Sequence, residues 1–365
     1  MTHSPLAAST VSLRGGAASS PVGAARARVS TRRGALLTLI DHLGNKGFGE
    51  ASPLPGHSPE SLDAAVTALD GAHRWLPATS LDAPFEALSA PRVRAMPGSA
   101  RFALETALLD LAAKRRGISL HALLSGRRED LSVPVNAYVG AALDDALRDD
   151  ARAALARGIT TLKVKLTGSD AGFDRERAAL LALREHLPGD WTLRLDANAA
   201  WTLPAAPARL EALSDLAPAF VEQPVAVGSL RALGRCAVAW AIDESLSDPD
   251  DTEFALKEGP RAGCVAAVIK PAMHGLVGAY ELAQRASASG LGVVVTHLFD
   301  GPVALAAACE LALALRDPLA CGLDLHPGLA AWEPVEIPQR REAAFVTASR
   351  APGLGLDLAP MLSAR

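Results

Sequence analysis

The sequence AFVEQP at residues 219–224 belongs to a series of short apolar runs that each end in a charged residue. Similar runs lie about 20–30 residues apart on either side of it: TLKVKL at 161–166, LRLDAN at 193–198, AWAIDES at 239–245 and AAVIKP at 266–271. A buried parallel strand has such an apolar sequence, and the crossover to the next parallel strand needs a dozen or more residues. The spacing therefore predicts a β/α repeat.

The same alternation extends in both directions from this series. Eight candidate strands can be placed, at 133–139, 161–166, 193–197, 219–223, 239–244, 266–270, 292–298 and 320–324. Eight parallel strands with helices between them are typical of a TIM-type barrel, in which the functional groups lie at the carboxyl ends of the strands. A doubly wound open sheet is the alternative, but it would normally carry a glycine-rich turn after its first strand, and none follows residue 139.

The first 125 residues have a different pattern. Strands are predicted at 6–14 and 34–41, helices at 59–75 and 100–116, and loops at 15–30 and 51–60. The predicted fold class is therefore α/β, with an α+β capping domain at 1–125 and a modified TIM (β/α) barrel at 126–340. We expect the tail, from about 341 to 365, to pack back on the capping domain.

Composition limits the partners and the compartment. Apolar residues make up 49% of the 365 residues, and the formal net charge of −4 gives no reason to expect a nucleic-acid partner or an anionic membrane. The four cysteines show no CxxC spacing, and the sequence has no run of 18 apolar residues. The first residues do not combine a cationic segment with a sustained apolar one, so we expect no signal peptide. We therefore expect free thiols and a cytoplasmic location.

Three acidic residues, Asp196, Glu222 and Asp243, end successive predicted strands. Because the carboxyl ends of parallel strands meet at one rim, these residues should converge. Hard oxygen ligands on a rigid scaffold suit Mg²⁺, and no Cys or His residue at these strand ends argues for zinc. A single acid at such a position would most simply be a solvated strand-end residue, but three in consecutive units favour a metal site.

Three lysines accompany the acids. Lys163 and Lys165 lie two residues apart on one strand and so point to the same side, and Lys270 ends the sixth strand, across the ring. A divalent cation nearby should lower the pKa of such a lysine and allow it to act as a general base. The alternative is that the lysines form structural salt bridges with the acids, while Lys163 in particular could instead bind a substrate carboxylate.

The order KxK, DxN, ExP, DES and IKP resembles the enolase superfamily, in its muconate-lactonizing-type branch. The resemblance covers nearly the whole chain. It implies a small-molecule carboxylate substrate, a Mg²⁺ cofactor held by Asp196, Glu222 and Asp243, a base at Lys165 on one face of the substrate and Lys270 on the other. It also implies a capping domain whose loops close the barrel mouth, and members of this branch often form homo-oligomers.

Within the branch, several strings are most similar to o-succinylbenzoate synthases: GEASPLPGHS at 49–58, RLDANAAW at 194–201, AIDESL at 241–246, VIKP at 268–271 and GLDLH at 322–326. This similarity implies Mg²⁺-dependent syn-dehydration of succinyl-hydroxycyclohexadiene-carboxylate to o-succinylbenzoate, in menaquinone biosynthesis. Lys163, Asn198 and His297 are the expected substrate contacts.

An N-acylamino acid racemase or a dipeptide epimerase is the alternative activity. Racemisation would require Lys270 to transfer a proton, whereas dehydration requires only its charge. Dipeptide epimerases of the branch carry an acid-x-acid pair at the eighth strand to hold the substrate ammonium, and here that position reads Asp324-Leu325-His326. The seventh unit, THLFDGPVAL at 296–305, also differs from the serine-rich form of some synthases.

Overall fold

The computed structural model describes residues 6–22, 29–128, 131–168, 172–326, 329 and 335–358. The amino-terminal part forms an antiparallel three-stranded sheet in the order β1-β2-β3, with β1 at Ala7–Val22, β2 at Val29–Ile40 and β3 at Lys46–Ala51. Five helices follow it: α1 (Leu62–Ala72), α2 (Pro84–Leu88), α3 (Pro91–Arg94), α4 (Gly98–Arg115) and α5 (Leu120–Ser125). Helix α4 packs directly on β3, where a Cβ added at Gly49 would collide with the backbone of Ala103.

The loop predicted at 15–30 is largely strand instead. β1 continues to Val22, which pairs with Val29 of β2. The pairing shifts register between Arg14 and Ala17 and again between Ala17 and Val22, so the small residues of this segment are accommodated as irregularities in a long ribbon. Residues 23–28 of the predicted loop lie outside the described residues, whereas the predicted loop at 51–60 does follow β3.

Seven parallel strands form the curled sheet of a modified TIM barrel, in the order β11-β10-β9-β8-β7-β6-β5. In chain order they are β5 (Asn136–Ala141), β6 (Thr161–Lys165), β7 (Thr192–Asp196), β8 (Phe220–Glu222), β9 (Trp240–Ile242), β10 (Cys264–Ile269) and β11 (Gly292–Val295). Before them β4 (Ser132–Pro134) pairs antiparallel with β12 (Phe345–Thr347) in the carboxyl-terminal part.

The eighth predicted strand, 320–324, does not form as a strand. The segment has only single bridges, between Val135 and Cys321 and between Thr296 and Gly322. Its backbone bonds to both neighbours in turn, because the Gly322 N–H donates to the carbonyl of Val295 while the Cys321 N–H donates to that of Pro134. The cylinder is therefore closed by alternating hydrogen bonds over a few residues rather than by a continuous ladder.

Among the described residues, the α-helices that accompany the sheet are α6 (Leu147–Ala156), α7 (Phe173–His186), α8 (Ala206–Ala212), α9 (Pro249–Lys257), α10 (Gly259–Ala262), α11 (Pro271–His274), α12 (Leu276–Ala288) and α13 (Pro302–Ala314). Helix α13 is buried along its whole length and contacts both β3 and α5 of the cap. Within the described part of the chain, no helix combines the length and the apolar character needed to cross a bilayer.

The carboxyl-terminal tail contacts the cap at Leu354. The Leu354 N–H donates to Asp110 of α4 over 2.8 Å, and the other oxygen of the same carboxylate accepts from the Phe48 N–H of β3 over 2.9 Å. One buried carboxylate thus joins the cap sheet, the cap helix and the tail. Residues 359–365 lie outside the described part.

Candidate active site

The strand register places the acidic residues side by side. Lys165 is opposite Asp196 in the pairing of β6 with β7, and Asp196 is opposite Glu222 in the pairing of β7 with β8. Asp243 directly follows β9, the next strand of the sheet. All three carboxylates are buried, with exposed fractions of 1%, 2% and 5% for Asp196, Glu222 and Asp243.

Two of the lysines bind these carboxylates directly. Lys163 Nζ lies 2.9 Å from Asp196 Oδ2 and 2.6 Å from Glu222 Oε1. Lys270 Nζ lies 2.5 Å from Asp243 Oδ2, and the carboxyl groups of Glu222 and Asp243 share a hydrogen bond. The three acids and two of the three lysines predicted to converge are therefore in contact at one rim.

Burial and the charges of neighbouring groups shift the pKa values of the three carboxyl groups in different directions. Burial opposes the ionisation of Asp196, but the charges of Lys163 and Lys165 outweigh it and lower the pKa of Asp196 to about 2. Burial and the neighbouring Asp196 charge raise the pKa of Glu222 to about 8. Burial likewise raises the pKa of Asp243. Glu222 and Asp243 therefore resist ionisation in this arrangement, whereas Asp196 does not.

This donor set fits a magnesium ion. As placed, no three His, Cys, Asp or Glu side chains of the described residues surround a common point, because the Lys163 ammonium lies between two of the carboxylates. The chemistry of the donors is nevertheless that of Mg²⁺, since all are oxygens on adjacent rigid strands. Asn198 Oδ1 is also buried there without a hydrogen-bond partner among the described residues. A divalent cation would relieve the repulsion that raises the pKa of Glu222.

Lys165 differs from the other two lysines. Within the described ranges its ammonium forms no hydrogen bond or ion pair, and the ring of Tyr138 lies 6.0 Å away. Burial lowers the pKa of Lys165, and the charges of Lys163 and Lys270 add to that effect. Lys163 and Lys270 have raised pKa values despite burial, because carboxylates bind them directly. The predicted lowering thus describes Lys165 but not its two neighbours in this arrangement.

Asn198 and His297, the two other expected substrate contacts, both line the same cavity. The Asn198 N–H donates to Asp196 Oδ1 over 2.9 Å, and its side-chain amide reaches Glu244. His297 Nδ1 accepts from the Phe299 N–H over 3.0 Å, and the ring also bonds to the Asp324 backbone. Burial lowers the pKa of His297 to about 4, so a ligand would meet a neutral ring.

The cavity above the acids has a volume of about 440 Å³. All three lysines, Asp196 and Asn198 line it. Leu54 and His57 of the cap loop form one part of the wall, and Leu298, Phe299, Leu325 and His326 of the barrel form another. A charged rim next to an apolar chamber suits a small carboxylate with an apolar ring or side chain.

Gln223 supports the site from behind, as its outward position in the strand alternation suggests. It is fully buried, and its amide donates over 2.8 Å to both the Val225 carbonyl and Ser245 Oγ. Its oxygen accepts from the N–H groups of Asp243 and Ser245 over 3.1 Å. Gln223 therefore fixes the turn that carries Asp243 beside Glu222. The alternation along the strand suggests a supporting residue at this position but does not identify Asp243 as the residue it supports.

Asp324, at the position where an acid-x-acid pair would begin, is already paired. Arg157 contacts it over 2.7 and 3.1 Å, and Arg340 over 3.2 Å. Leu325, the next residue, is 53% exposed, and His326 donates from Nε2 to the Asp300 carbonyl over 3.1 Å. This segment therefore presents no uncompensated acid to the cavity.

Known proteins resemble the chain over most of its length. Residues 146–361 match the family described as enolase C-terminal domain-like. L-Lys-D/L-Arg epimerase of Methylococcus capsulatus is 34% identical over 73% of this chain and 75% of its own. Muconate cycloisomerase 1 of Acinetobacter baylyi is 27% identical over 88% of this chain and 89% of its own. The o-succinylbenzoate synthase of Thermobifida fusca is 33% identical over 53% of this chain and 59% of its own.

Solved structures agree with these matches. The muconate lactonizing enzyme from Pseudomonas fluorescens, complexed with muconolactone, has a TM-score of 0.85 over 98% of this chain and 97% of its own, at 24% identity, which bears on the fold alone. The dipeptide epimerase from Methylococcus capsulatus, complexed with Mg and the dipeptide L-Arg-D-Lys, has a TM-score of 0.80 at 27% identity over 98% and 99%. With the family match covering more than half of its length, this chain belongs to the enolase superfamily.

Proposed function

We propose that this enolase-superfamily enzyme is a Mg²⁺-dependent o-succinylbenzoate synthase. In this proposal it dehydrates succinyl-hydroxycyclohexadiene-carboxylate in menaquinone biosynthesis. The observation that carries the choice is Asp324, whose carboxylate is bound by Arg157 and Arg340 and is not available to a substrate ammonium. The 33% identity to the Thermobifida fusca synthase supports the same choice. All four cysteines are free, which is consistent with a reducing compartment such as the cytoplasm.

The proposed site has a division of roles. Asp196, Glu222 and Asp243 would hold Mg²⁺, and the bound cation supplies stabilisation of the charge that develops on the substrate carboxylate as the α-proton leaves. Lys165, with its lowered pKa, is the base that removes this proton. Its ammonium then returns the proton to the departing hydroxyl on the same face. One C–H bond and one C–O bond break, water leaves, and the ring becomes aromatic.

Lys270 and Lys163 have supporting roles in this scheme. The Lys270 ammonium lines the cavity while it is paired with Asp243, so its charge can stabilise the substrate ring from the other face by a cation–π contact. Lys163 lies between Asp196 and Glu222 and can neutralise charge on the substrate carboxylate. Neither role requires these two residues to transfer a proton.

Racemisation of an N-acylamino acid or epimerisation of a dipeptide is the second candidate. It is favoured by the 34% identity to the Methylococcus capsulatus epimerase and by the presence of both Lys165 and Lys270 on the cavity wall. The pairing of Asp324 disfavours a dipeptide, whose ammonium would need a free acid. It does not bear on an N-acylamino acid, which carries no ammonium.

The test offers the magnesium-loaded protein each class of substrate. Loss of absorbance of succinyl-hydroxycyclohexadiene-carboxylate reports dehydration. In parallel, N-succinylamino acids and dipeptides are incubated in deuterated water, and the α-proton signal is followed by NMR. We expect dehydration to be the faster reaction by orders of magnitude, and to stop after chelation of the metal. Exchange of α-protons without dehydration would reject the synthase assignment in favour of the racemase or epimerase.

A further inference from the structure

Arg32, on cap strand β2, reaches into the junction between cap and barrel with 1% of its surface exposed. Its guanidinium donates to the carbonyls of Ser52 (2.7 Å) and Pro53 (3.3 Å) on the cap side. It also donates to the carbonyls of Phe299 (2.9 Å) and Leu298 (3.3 Å) on the barrel side. One side chain thus bonds the backbones of two separate loops.

Each of these loops supplies one wall of the cavity. The cap loop contributes Leu54 and His57, and the loop after β11 contributes Leu298 and Phe299. Arg32 itself does not line the cavity. Its hydrogen bonds lie behind both walls, at the residues that immediately precede Leu54 and at the two wall residues of the barrel.

The barrel loop needs external support. Phe299 has a φ of 54°, in the left-handed region that costs a bulky residue on the order of 1–3 kcal/mol. Its carbonyl accepts from Arg32 Nε and its N–H donates to His297 Nδ1. These two bonds fix both backbone polar groups of Phe299, so the ring stays on the cavity wall.

Two buried carboxylates complete the junction. Asp300 Oδ1 lies 3.9 Å from the Arg32 guanidinium. Glu50, at the end of β3, accepts from the N–H groups of Gly301 (2.7 Å), Val303 (3.1 Å) and Ala304 (3.2 Å) at the start of α13. The cap therefore holds the barrel loop at two points. The Arg32 guanidinium binds the Phe299 carbonyl, and the Glu50 carboxylate binds the start of α13.

We propose that Arg32 is a positioning residue that sets the spacing of the two cavity walls and thereby the affinity for the substrate bound between them. The identity of that substrate rests on the proposed function, whereas the clamp itself rests on the contacts above. A lysine cannot replace the arginine, because a single ammonium on a flexible stem cannot serve carbonyls on both loops in the fixed geometry of a guanidinium.

The first test compares Arg32→Lys with the wild-type enzyme in the dehydration assay. We expect KM to rise about tenfold while kcat changes less than about threefold, because a loss of ground-state positioning away from the reacting atoms raises KM. Arg184→Lys is the matched control. Arg184 also donates to three backbone carbonyls, of Trp191, Leu216 and Ala217, but these residues precede strands and so lie at the opposite end of the barrel from the site.

A second variant, Phe299→Ala, removes the wall ring and leaves Arg32 in place. It should raise KM by a similar factor, and the double variant should raise it by less than the product of the two single effects, since both act on one wall. An unchanged KM in Arg32→Lys, or a fall in kcat alone, would overturn the proposal. Strict multiplicativity in the double variant would overturn it too.

Hydrogen exchange keeps this test separate from the choice of substrate. In Arg32→Lys, amide exchange should accelerate in residues 52–58 and 297–301 and stay at the wild-type rate in the central turns of α4. Exchange that is unchanged in these loops, or accelerated throughout the protein, would contradict the clamp whatever the enzyme turns over. Failure of wild-type protein to consume the dehydration substrate would instead reject the proposed function and leave the exchange result standing.

Discussion

The three lysines of the cavity are distinguished by their partners. Lys163 and Lys270 are each in direct contact with a buried carboxylate, and Lys165 is not. An ammonium that is buried without a paired carboxylate loses its proton more easily, and burial accordingly lowers the pKa of Lys165. These contacts support the proposal that Lys165, and not Lys163 or Lys270, is the base.

Replacing Lys165 by alanine should abolish turnover, with a loss of at least about 10²–10⁴-fold in kcat, the range expected for a general acid–base group. The fold should not be weakened, because the change removes a buried charge that has no partner among the described residues. Steady-state dehydration and thermal unfolding measure the two effects. Lys257→Ala, on the exposed face of α9, is the control and should leave both unchanged. Wild-type turnover in Lys165→Ala would remove the base assignment.

The sequence predicts which acidic residues lie at the strand ends, but it does not predict the hydrogen bonds and ion pairs that their neighbours form. The positions of Asp196, Glu222 and Asp243 follow from the end of each apolar run, since strands of one parallel sheet end at one rim. The support that Gln223 gives to Asp243 comes from a turn with a φ of 39° at Gln223, which strand alternation does not anticipate. The pairing of Asp324 with Arg340 joins segments that only the folded chain brings together.

At the scale of elements, the helices of the cap were easier to predict than two segments of strand, the β1–β2 ribbon and the segment at 320–324. Helices α1 and α4 follow from periodicity and helix-ending signals, within a few residues of the predicted bounds. The prediction of an eighth strand at 320–324 was wrong, because this segment divides its backbone hydrogen bonds between the chain on either side of it. The loop predicted at 15–30 is in large part strand. Its small residues are typical of a loop, but pairing between β1 and β2 holds them in strand geometry.

Glu105 of α4 links the cap to a barrel helix and should make stability depend on pH. Its carboxylate accepts from the Val277 N–H at the start of α12 over 2.8 Å, and burial raises its pKa to about 7. The folded state then binds the proton more tightly than the unfolded chain does. This contribution to the free energy of unfolding is thus greatest below about pH 4.5, the usual pKa, and is lost as the pH rises towards 7.

Glu105→Gln should remove that dependence, on the order of 2–3 kcal/mol between pH 5 and 8 for a shift of this size. Urea denaturation at the two pH values gives the free energies. Glu185→Gln, at an exposed position of α7, is the matched control and should retain the wild-type dependence. An equal pH dependence in wild type and Glu105→Gln would show that this carboxyl group does not titrate as described.

At the scale of the whole molecule, cap and barrel share buried polar contacts in addition to a common apolar core. Glu50 binds the start of α13, Glu105 binds the start of α12, and Arg32 bonds to the loop between β11 and α13. The barrel and the cap could be predicted from their different sequence patterns, and the fold confirms both. The contacts that join them could not, because each links residues about 170 to 270 positions apart, such as Glu105 with Val277 and Arg32 with Phe299.

We propose that three carboxylates from successive strands, Asp196, Glu222 and Asp243, share one divalent cation. The most direct measurement is a titration with Mn²⁺, in which electron paramagnetic resonance reports the free ion and Mg²⁺ is added as competitor. We predict one Mn²⁺ per chain, displaced by Mg²⁺, and loss of this site in Glu222→Gln, which keeps the shape of the side chain but removes its charge. Wild-type protein that binds no ion, or a Glu222→Gln variant that binds it as tightly as wild type, would contradict the account.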